Sequence, residues 1–171
     1  MSLAVLIGGV RSGKSRLAVD MAARESKPVV FIATAEARDE EMAARIAGHR
    51  TERPAQWTTV EEPVGVQRWL EAVTDDDVVV IDCLTLWVSN LLERNADVEE
   101  AARRAAETAA KRSGLVVAVT NEVGSGLVPA SAAGREYTDV LGRVNTIWAE
   151  NADRVWLVVA GKVLPLQDAP Q

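Results

Sequence analysis

A glycine-rich loop follows the first apolar segment of this chain, and it constrains the fold more than any other stretch. Residues 3–18 read LAVLIGGVRSGKSRLA, an apolar run that predicts a buried strand, followed by helical spacing after Lys14. The letters from Gly8 to Ser15 match the pattern G-x-x-x-x-G-K-[ST], which cradles phosphate groups between a strand and a helix. The loop therefore predicts binding of a nucleoside triphosphate, against the alternative of an ordinary turn with a surface lysine.

Each residue type in this loop has a physical role. Glycine lets the backbone approach a phosphate closely, and the inward-pointing N–H groups and the helix N-terminus attract its charge. We expect Lys14 to reach the β- and γ-phosphates as a catalytic residue, and the Ser15 hydroxyl to ligate Mg²⁺. The predicted nucleotide contacts of the loop are Gly8, Gly9, Val10, Arg11, Ser12, Gly13, Lys14 and Ser15.

The bulk composition excludes several classes of protein. A length of 171 residues predicts a single domain over residues 1–171. The net charge of −6 gives no basic field for nucleic acid. No apolar run is long enough to span a bilayer, and the N-terminus lacks a signal-peptide pattern. We therefore expect a cytoplasmic protein with no nucleic-acid partner and no membrane segment.

Strands and helices alternate along the sequence. Apolar runs at residues 29–33, at 77–82 and from 115 onward predict strands, and amphipathic patterns between them predict helices. The five tryptophans mostly fall on apolar faces and are predicted to lie in the core. The final KVLPL could return as an antiparallel edge strand. The order predicts an α/β fold, a mostly parallel sheet flanked by helices, with its ligand at the carboxyl ends of the strands.

Polar residues stand at those strand ends. Asp82 ends a fully apolar strand, as expected for a carboxylate that holds Mg²⁺ beside a triphosphate; the alternative is a helix cap. Thr34 could face the nucleotide. Asn121 and Glu122 end the fourth long strand in TNEVGSG, which differs from the guanine-binding pattern N-K-x-D of GTPases. The D-x-x-G signature is also absent after Asp82, so a switch GTPase is disfavoured.

His49, the only histidine, lies near the end of the second predicted helix. Arg45, Arg50 and Arg53 flank it, and they would suit an anionic ligand and favour a neutral, nucleophilic imidazole. The residues alone leave open a helix-capping or surface histidine, with arginines paired to nearby glutamates.

Taken together, six blocks of the sequence resemble one family of enzymes. They read GGVRSGKS, IATAEARDEEMAARIAGHR, RPAQWTTVEEP, DCLTLWVSNLL, TNEVGSGLVP and GRVNTIWAENADRVWLVVAG. The chain is similar, almost throughout, to the bifunctional adenosylcobinamide kinase/adenosylcobinamide-phosphate guanylyltransferases of cobalamin biosynthesis. The resemblance implies a RecA-like P-loop fold and a homotrimer. It also implies phosphorylation of adenosylcobinamide by GTP or ATP, then transfer of GMP from GTP to adenosylcobinamide phosphate through a covalent GMP-histidine.

The resemblance also implies roles for particular residues. His49 matches the histidine nucleophile, and Asp82 the acid that binds metal and nucleotide. The resemblance assigns no base for the acceptor hydroxyl; from its own position in the sequence, Glu122 is a candidate for that role. Further nucleotide contacts implied by the family are Ala33, Thr34, Ala35, Arg50, Thr51, Glu52, Arg53 and Glu61.

Two other interpretations stay open at the level of sequence. One is a different P-loop kinase of small molecules, in which His49 is structural. The other is a non-catalytic module that binds nucleotide to regulate assembly. Covalent modification of His49 would discriminate between these and the guanylyltransferase.

Overall fold

In the part of the chain that the structure describes, seven strands form one sheet, in which the strand before the glycine-rich loop lies inside rather than at an edge. A computed structural model describes residues 2–51 and 53–168, apart from the side chain of Arg45. The strands are β1 Leu3–Gly8, β2 Val29–Ala33, β3 Thr58–Glu61, β4 Val78–Asp82, β5 Val116–Asn121, β6 Arg154–Val159 and β7 Lys162–Leu166. Their order across the sheet is β3-β2-β4-β5-β1-β6-β7. All neighbours are parallel except β6 and β7, which confirms the antiparallel strand at the C-terminal edge.

Six helices of the described residues connect the strands. They are α1 Lys14–Ala23, α2 Glu40–Thr51, α3 Val66–Ala72, α4 Leu84–Glu93, α5 Val98–Lys111 and α6 Ala132–Glu150. Helix α5 begins at a true cap, because the side chain of Asp97 accepts a hydrogen bond from the backbone N–H of Glu100. Helix α6 begins in the same way, with Ser131 accepting from Gly134. No helix within residues 2–51 and 53–168 is both long and apolar enough to cross a membrane.

Helices cover the two faces of the sheet unequally. Side chains alternate along each strand, so Leu3 and Val5 join one core cluster while Ala4 and Leu6 join the other. Helices α3, α4, α5 and α6 pack on the first face, where α5 contributes a stripe of buried alanines. Helix α1 packs on the second face. The predicted α/β architecture is therefore confirmed, with the carboxyl ends of β1, β2, β4 and β5 at one edge.

Two tryptophans are completely enclosed, and the other three pack partly buried against the core clusters. Trp87 is 1% exposed, and its indole Nε1 donates a 2.7 Å hydrogen bond to the carbonyl of Val64. Trp148 is 0% exposed, and its Nε1 has no hydrogen-bond partner among the described residues. The two side chains thus match in size and burial but differ in one hydrogen bond.

Phenylalanine at these two positions should separate that hydrogen bond from packing. Trp87→Phe leaves the Val64 carbonyl without its donor, whereas Trp148→Phe removes a donor that has no acceptor. We expect Trp87→Phe to lower the free energy of unfolding by about 1–2 kcal/mol more than Trp148→Phe does. Urea denaturation of both variants beside the parent measures the difference. An equal or larger loss of stability for Trp148→Phe would contradict a stabilising role for the hydrogen bond from Trp87 to Val64.

Candidate active site

Glycines are required at two points of the loop between β1 and α1. A Cβ on Gly8 would lie 2.2 Å from the carbonyl oxygen of Val158 on the neighbouring strand. Gly13, directly before α1, has a φ of +99°, in the left-handed region that glycine favours. The Gly13 carbonyl accepts a 3.0 Å bond from the N–H of Leu17, so the turn leads straight into the helix. The backbone of the loop thus has the form expected of a phosphate cradle.

Lys14 lies buried beneath this loop. Its Nζ donates to the carbonyl oxygen of Gly9 at 2.6 Å and to the Ser12 hydroxyl at 3.3 Å. Burial lowers the pKa of Lys14, although the neighbouring Cys83 and Asp82 oppose that shift. The loop itself therefore holds the ammonium group at the place where the sequence predicts phosphate contacts.

Ser15 and Asp82 meet across the site. The Ser15 hydroxyl donates a 3.3 Å hydrogen bond to Oδ1 of Asp82, the last residue of β4. Burial raises the pKa of Asp82; the bond from Ser15 and the charges of His49, Arg53 and Lys14 oppose that shift. A hydroxyl and a carboxylate oxygen are the donors that Mg²⁺ takes in nucleotide sites, where waters and phosphates complete its shell. The donor set therefore fits Mg²⁺.

A cavity of about 750 Å³ opens at the carboxyl ends of the central strands. Its lining joins the glycine-rich loop with Asp82, His49 and Arg53, which lie far apart in the sequence. The charged side chains of the lining, apart from His49, are Arg11, Lys14, Arg16, Arg53, Glu41 and Asp82. Positive groups outnumber negative ones there, although the chain as a whole has a net charge of −6. The cavity is therefore electrostatically suited to a polyphosphate.

Helix α2 forms one wall of this cavity. His49 is half-buried and shares the inner face of the helix with Ile46 and Met42, which lie three and seven residues earlier. Arg53 follows the helix, and its guanidinium carbon lies 3.7 Å from the centroid of the Phe31 ring. The structure thus brings His49 and Arg53 to the same cavity as the glycine-rich loop.

The other predicted contacts of this region are placed differently. Ala33 and Ala35 line the cavity, whereas Arg50, Thr51 and Glu61 are absent from its lining. Arg50 pairs with Glu61 at 3.4 Å, and both side chains are 64% exposed. The Thr51 hydroxyl donates to the Gly48 carbonyl at 2.7 Å. Glu52 lies outside the described residues.

Two side chains point elsewhere than the sequence suggests. Thr34 is fully buried, and its hydroxyl bonds both the carbonyl (2.7 Å) and the N–H (2.8 Å) of Cys83, so it does not face the cavity. Glu122 accepts bonds through Oε1 from the N–H of Gly124 and the hydroxyl of Ser125, at 2.6 and 3.3 Å. It is also absent from the cavity lining, which weighs against a role as acceptor base. Both side chains satisfy nearby loop groups instead.

Sequence reasoning assigns no ligand contact to several residues of the lining. Asn121 ends β5 and Thr85 lies in the first turn of α4, and both reach the cavity. Their position directly at or after a strand end was visible in the sequence. Met42 and Ile46 share the helical spacing of His49, which is a second available signal.

Comparison with known proteins gives these features a context. The family described as "Cobinamide kinase / cobinamide phosphate guanyltransferase" matches residues 4–166. The chain belongs to this family. It is 41% identical to the bifunctional adenosylcobalamin biosynthesis protein CobP of Pseudomonas aeruginosa, covering 97% of this chain and 98% of that protein. It is 40% identical to CobU, described in the same words, of Escherichia coli, covering 92% and 95%.

Solved structures add a likeness of fold. A type III secretion ATPase of pathogenic bacteria is 13% identical, with a TM-score of 0.58 over 91% of this chain and 50% of that chain. At that identity the likeness concerns the fold alone. It confirms the P-loop α/β class that the glycine-rich loop predicts. The family match extends over both the loop and the His49 segment.

Proposed function

We propose that this chain phosphorylates adenosylcobinamide with a nucleoside triphosphate and then transfers GMP from GTP to the resulting phosphate. One observation carries the proposal: a single cavity joins the triphosphate loop, the Ser15–Asp82 pair and His49. The first group serves phosphoryl transfer, and His49 supplies a nucleophile for nucleotidyl transfer. Family membership identifies the acceptor, because the names of the family and of its relatives specify cobinamide and adenosylcobalamin.

The first reaction depends on positioning and charge neutralisation. Lys14 and the loop N–H groups hold the triphosphate, and the acceptor hydroxyl approaches its γ-phosphorus in line with the leaving oxygen. Ser15 and Asp82 are the residues that would hold Mg²⁺, which neutralises phosphate charge when bound.

The second reaction divides one transfer into two displacements. A ring nitrogen of His49 attacks the α-phosphorus of GTP; a P–N bond forms, the α–β bridging P–O bond breaks, and pyrophosphate leaves with the electron pair. A phosphate oxygen of adenosylcobinamide phosphate then attacks the same phosphorus and releases the histidine. Adenosylcobinamide-GDP is the product.

Product analysis tests both reactions. The protein is incubated with adenosylcobinamide, Mg²⁺ and either GTP or ATP. The corrinoids are then separated, and their masses are measured by mass spectrometry. We expect adenosylcobinamide phosphate first, and adenosylcobinamide-GDP with pyrophosphate when GTP is present. Formation of the phosphate without the GDP product, also when the phosphate is supplied directly, would overturn the transferase half. Unchanged adenosylcobinamide with both nucleotides would overturn the kinase half.

Several finer points belong to the same proposal. We infer one domain over residues 1–171, supported by a sheet that combines strands from both ends of the described chain. We also keep Mg²⁺ as the metal, a homotrimer as the assembly and the cytoplasm as the location. The donor set of Ser15 and Asp82 supports the first of these, the family resemblance supports the second, and the third stays a prediction from the sequence.

A further inference from the structure

Strand β5 occupies a particular place in the sheet, between the two strands that carry the triphosphate machinery. Its neighbours are β1, which ends in the glycine-rich loop, and β4, which ends in Asp82. The last residue of β5, Asn121, pairs in register with Gly8, and the next N–H, of Glu122, donates to the Gly8 carbonyl at 3.2 Å. Asn121 therefore stands where the loop and the Asp82 carboxylate face each other.

Side chains from two helices fix the backbone of Asn121. Its N–H donates to the Thr85 hydroxyl at 2.8 Å, and its carbonyl accepts from Nδ2 of Asn145 at 3.0 Å. The Thr120 hydroxyl in turn donates to Oδ1 of Asn145 at 2.7 Å, and the Tyr137 hydroxyl donates to the Thr85 carbonyl at 3.0 Å. Buried polar groups so completely paired hold a strand end in one position.

The hydrogen bonds described above use only the backbone groups of Asn121, and its side-chain carboxamide takes part in none of them. The side chain is half-buried and lines the cavity together with Lys14, Ser15 and Asp82. In the described part of the chain it has no hydrogen-bond partner, although both of its backbone groups do. A carboxamide offers two N–H donors and one acceptor oxygen without a charge. Such a group suits an oxygen atom of a bound ligand.

We propose that the Asn121 carboxamide hydrogen-bonds the γ-phosphoryl group during transfer to adenosylcobinamide, and that it serves this step rather than transfer of GMP. The inference rests on the proposed function above. In that step the acceptor hydroxyl oxygen bonds to the γ-phosphorus, and the bond from that phosphorus to the β–γ bridging oxygen breaks. The electron pair leaves on the nucleoside diphosphate, and the hydroxyl proton passes to solvent water. Asn121 donates to an equatorial oxygen and exchanges no proton.

The two flanks of the cavity explain the division between the reactions. His49 follows β2, which lies on one side of β4, whereas Asn121 ends β5 on the other side. The nucleophile for the α-phosphorus and the carboxamide thus enter from opposite sides of Asp82. A donor beside the γ-phosphoryl group stabilises the kinase transition state and has no bond to make to His49 or to the α-phosphorus.

The test compares both reactions in Asn121→Ala and Asn121→Asp. Phosphorylation of adenosylcobinamide is followed with GTP and, in parallel, with ATP; guanylylation of the protein by GTP is followed by intact mass. We expect the alanine variant to lose about 10²-fold in kcat for phosphorylation, with KM for the nucleotide and the rate of guanylylation within about threefold of the parent. The aspartate variant should lose at least as much, because its charge repels the phosphate. Asn151→Ala, at the C-cap of α6 and outside the cavity lining, is the matched control and should change neither rate.

Two results would overturn the inference. One is an alanine variant that phosphorylates adenosylcobinamide within about threefold of the parent, since one phosphate donor is worth far more than that. The other is a proportional loss of both reactions, which a general structural or nucleotide-binding role would produce. A parent protein that phosphorylates no adenosylcobinamide would instead overturn the proposed function, and it is distinguished by the same assay.

Discussion

Replacing His49 with alanine is expected to abolish covalent attachment of a guanylyl group to the protein while phosphorylation of adenosylcobinamide continues. The chain contains one histidine, so no second imidazole can substitute for it. The helix that carries His49 has no buried residue among those whose side chains are described, so the substitution should leave the core unchanged. We expect phosphorylation within about threefold of the parent, because that step needs no nitrogen nucleophile.

Intact mass after incubation with GTP and Mg²⁺ measures this outcome. The parent should gain the mass of one guanylyl group and lose it in acid, as a P–N bond does. Glu40→Ala, an exposed residue at the start of the same helix, is the matched control and should gain the same group. A His49→Ala protein that still gains the group would place the bond on another residue and contradict the role of His49. A parent that binds GTP without any gain would leave a P-loop kinase with a structural histidine.

Replacing Lys14 with alanine should reduce both reactions. The Lys14 ammonium lies buried under the glycine-rich loop, where a phosphate oxygen would replace the Gly9 carbonyl as its partner. Removing a charge placed to stabilise transferring phosphate costs at least about 10²-fold in kcat/KM. We expect this loss for phosphorylation and also for guanylylation, because the same triphosphate cradle serves both.

Lys27→Ala is the control for loss of a lysine charge. Lys27 pairs with Asp76 at 2.5 Å, and its side chain is 37% exposed. It should leave both reactions unchanged. Rates are measured with saturating and limiting GTP to separate kcat from KM. A Lys14→Ala protein within tenfold of the parent in both reactions would show that the loop backbone alone supplies the binding, and would contradict the assigned role.

The local parts of the fold could be predicted because they depend on neighbouring residues. The apolar run at residues 78–81 is short, β-branched and flanked by aspartates, so it predicts a buried strand from its own letters, and G-x-x-x-x-G-K-[ST] predicts its own turn. The order of the strands could not be predicted, because parallel pairs are joined by long crossovers and carry no adjacent signal. The position of β5 between β1 and β4 is therefore information that only the structure supplies.

The residues of the candidate site could also be predicted from the sequence only in part. Asp82 could be assigned from its strand end, since the glycine-rich loop implies a nearby carboxylate. Thr34 directly follows β2, yet its hydroxyl bonds the backbone carbonyl and N–H of Cys83 rather than facing the cavity. A strand end locates a residue at the right edge of the sheet but does not determine where its side chain points. The catalytic role of His49 is predicted from the family resemblance, because its arginine neighbours alone leave a surface or capping histidine open.

The neighbours of the first strand also determine when this protein can become active during its synthesis. Leu3 pairs with Val116 and Ala4 with Arg154, so β1 finds both of its partners in the last third of the sequence. A chain emerging from the ribosome therefore carries its glycine-rich loop on a strand with two open edges until β5 and β6 follow. Open strand edges invite pairing with other chains. The glycine-rich loop is consequently made well before the two strands that complete the sheet around it.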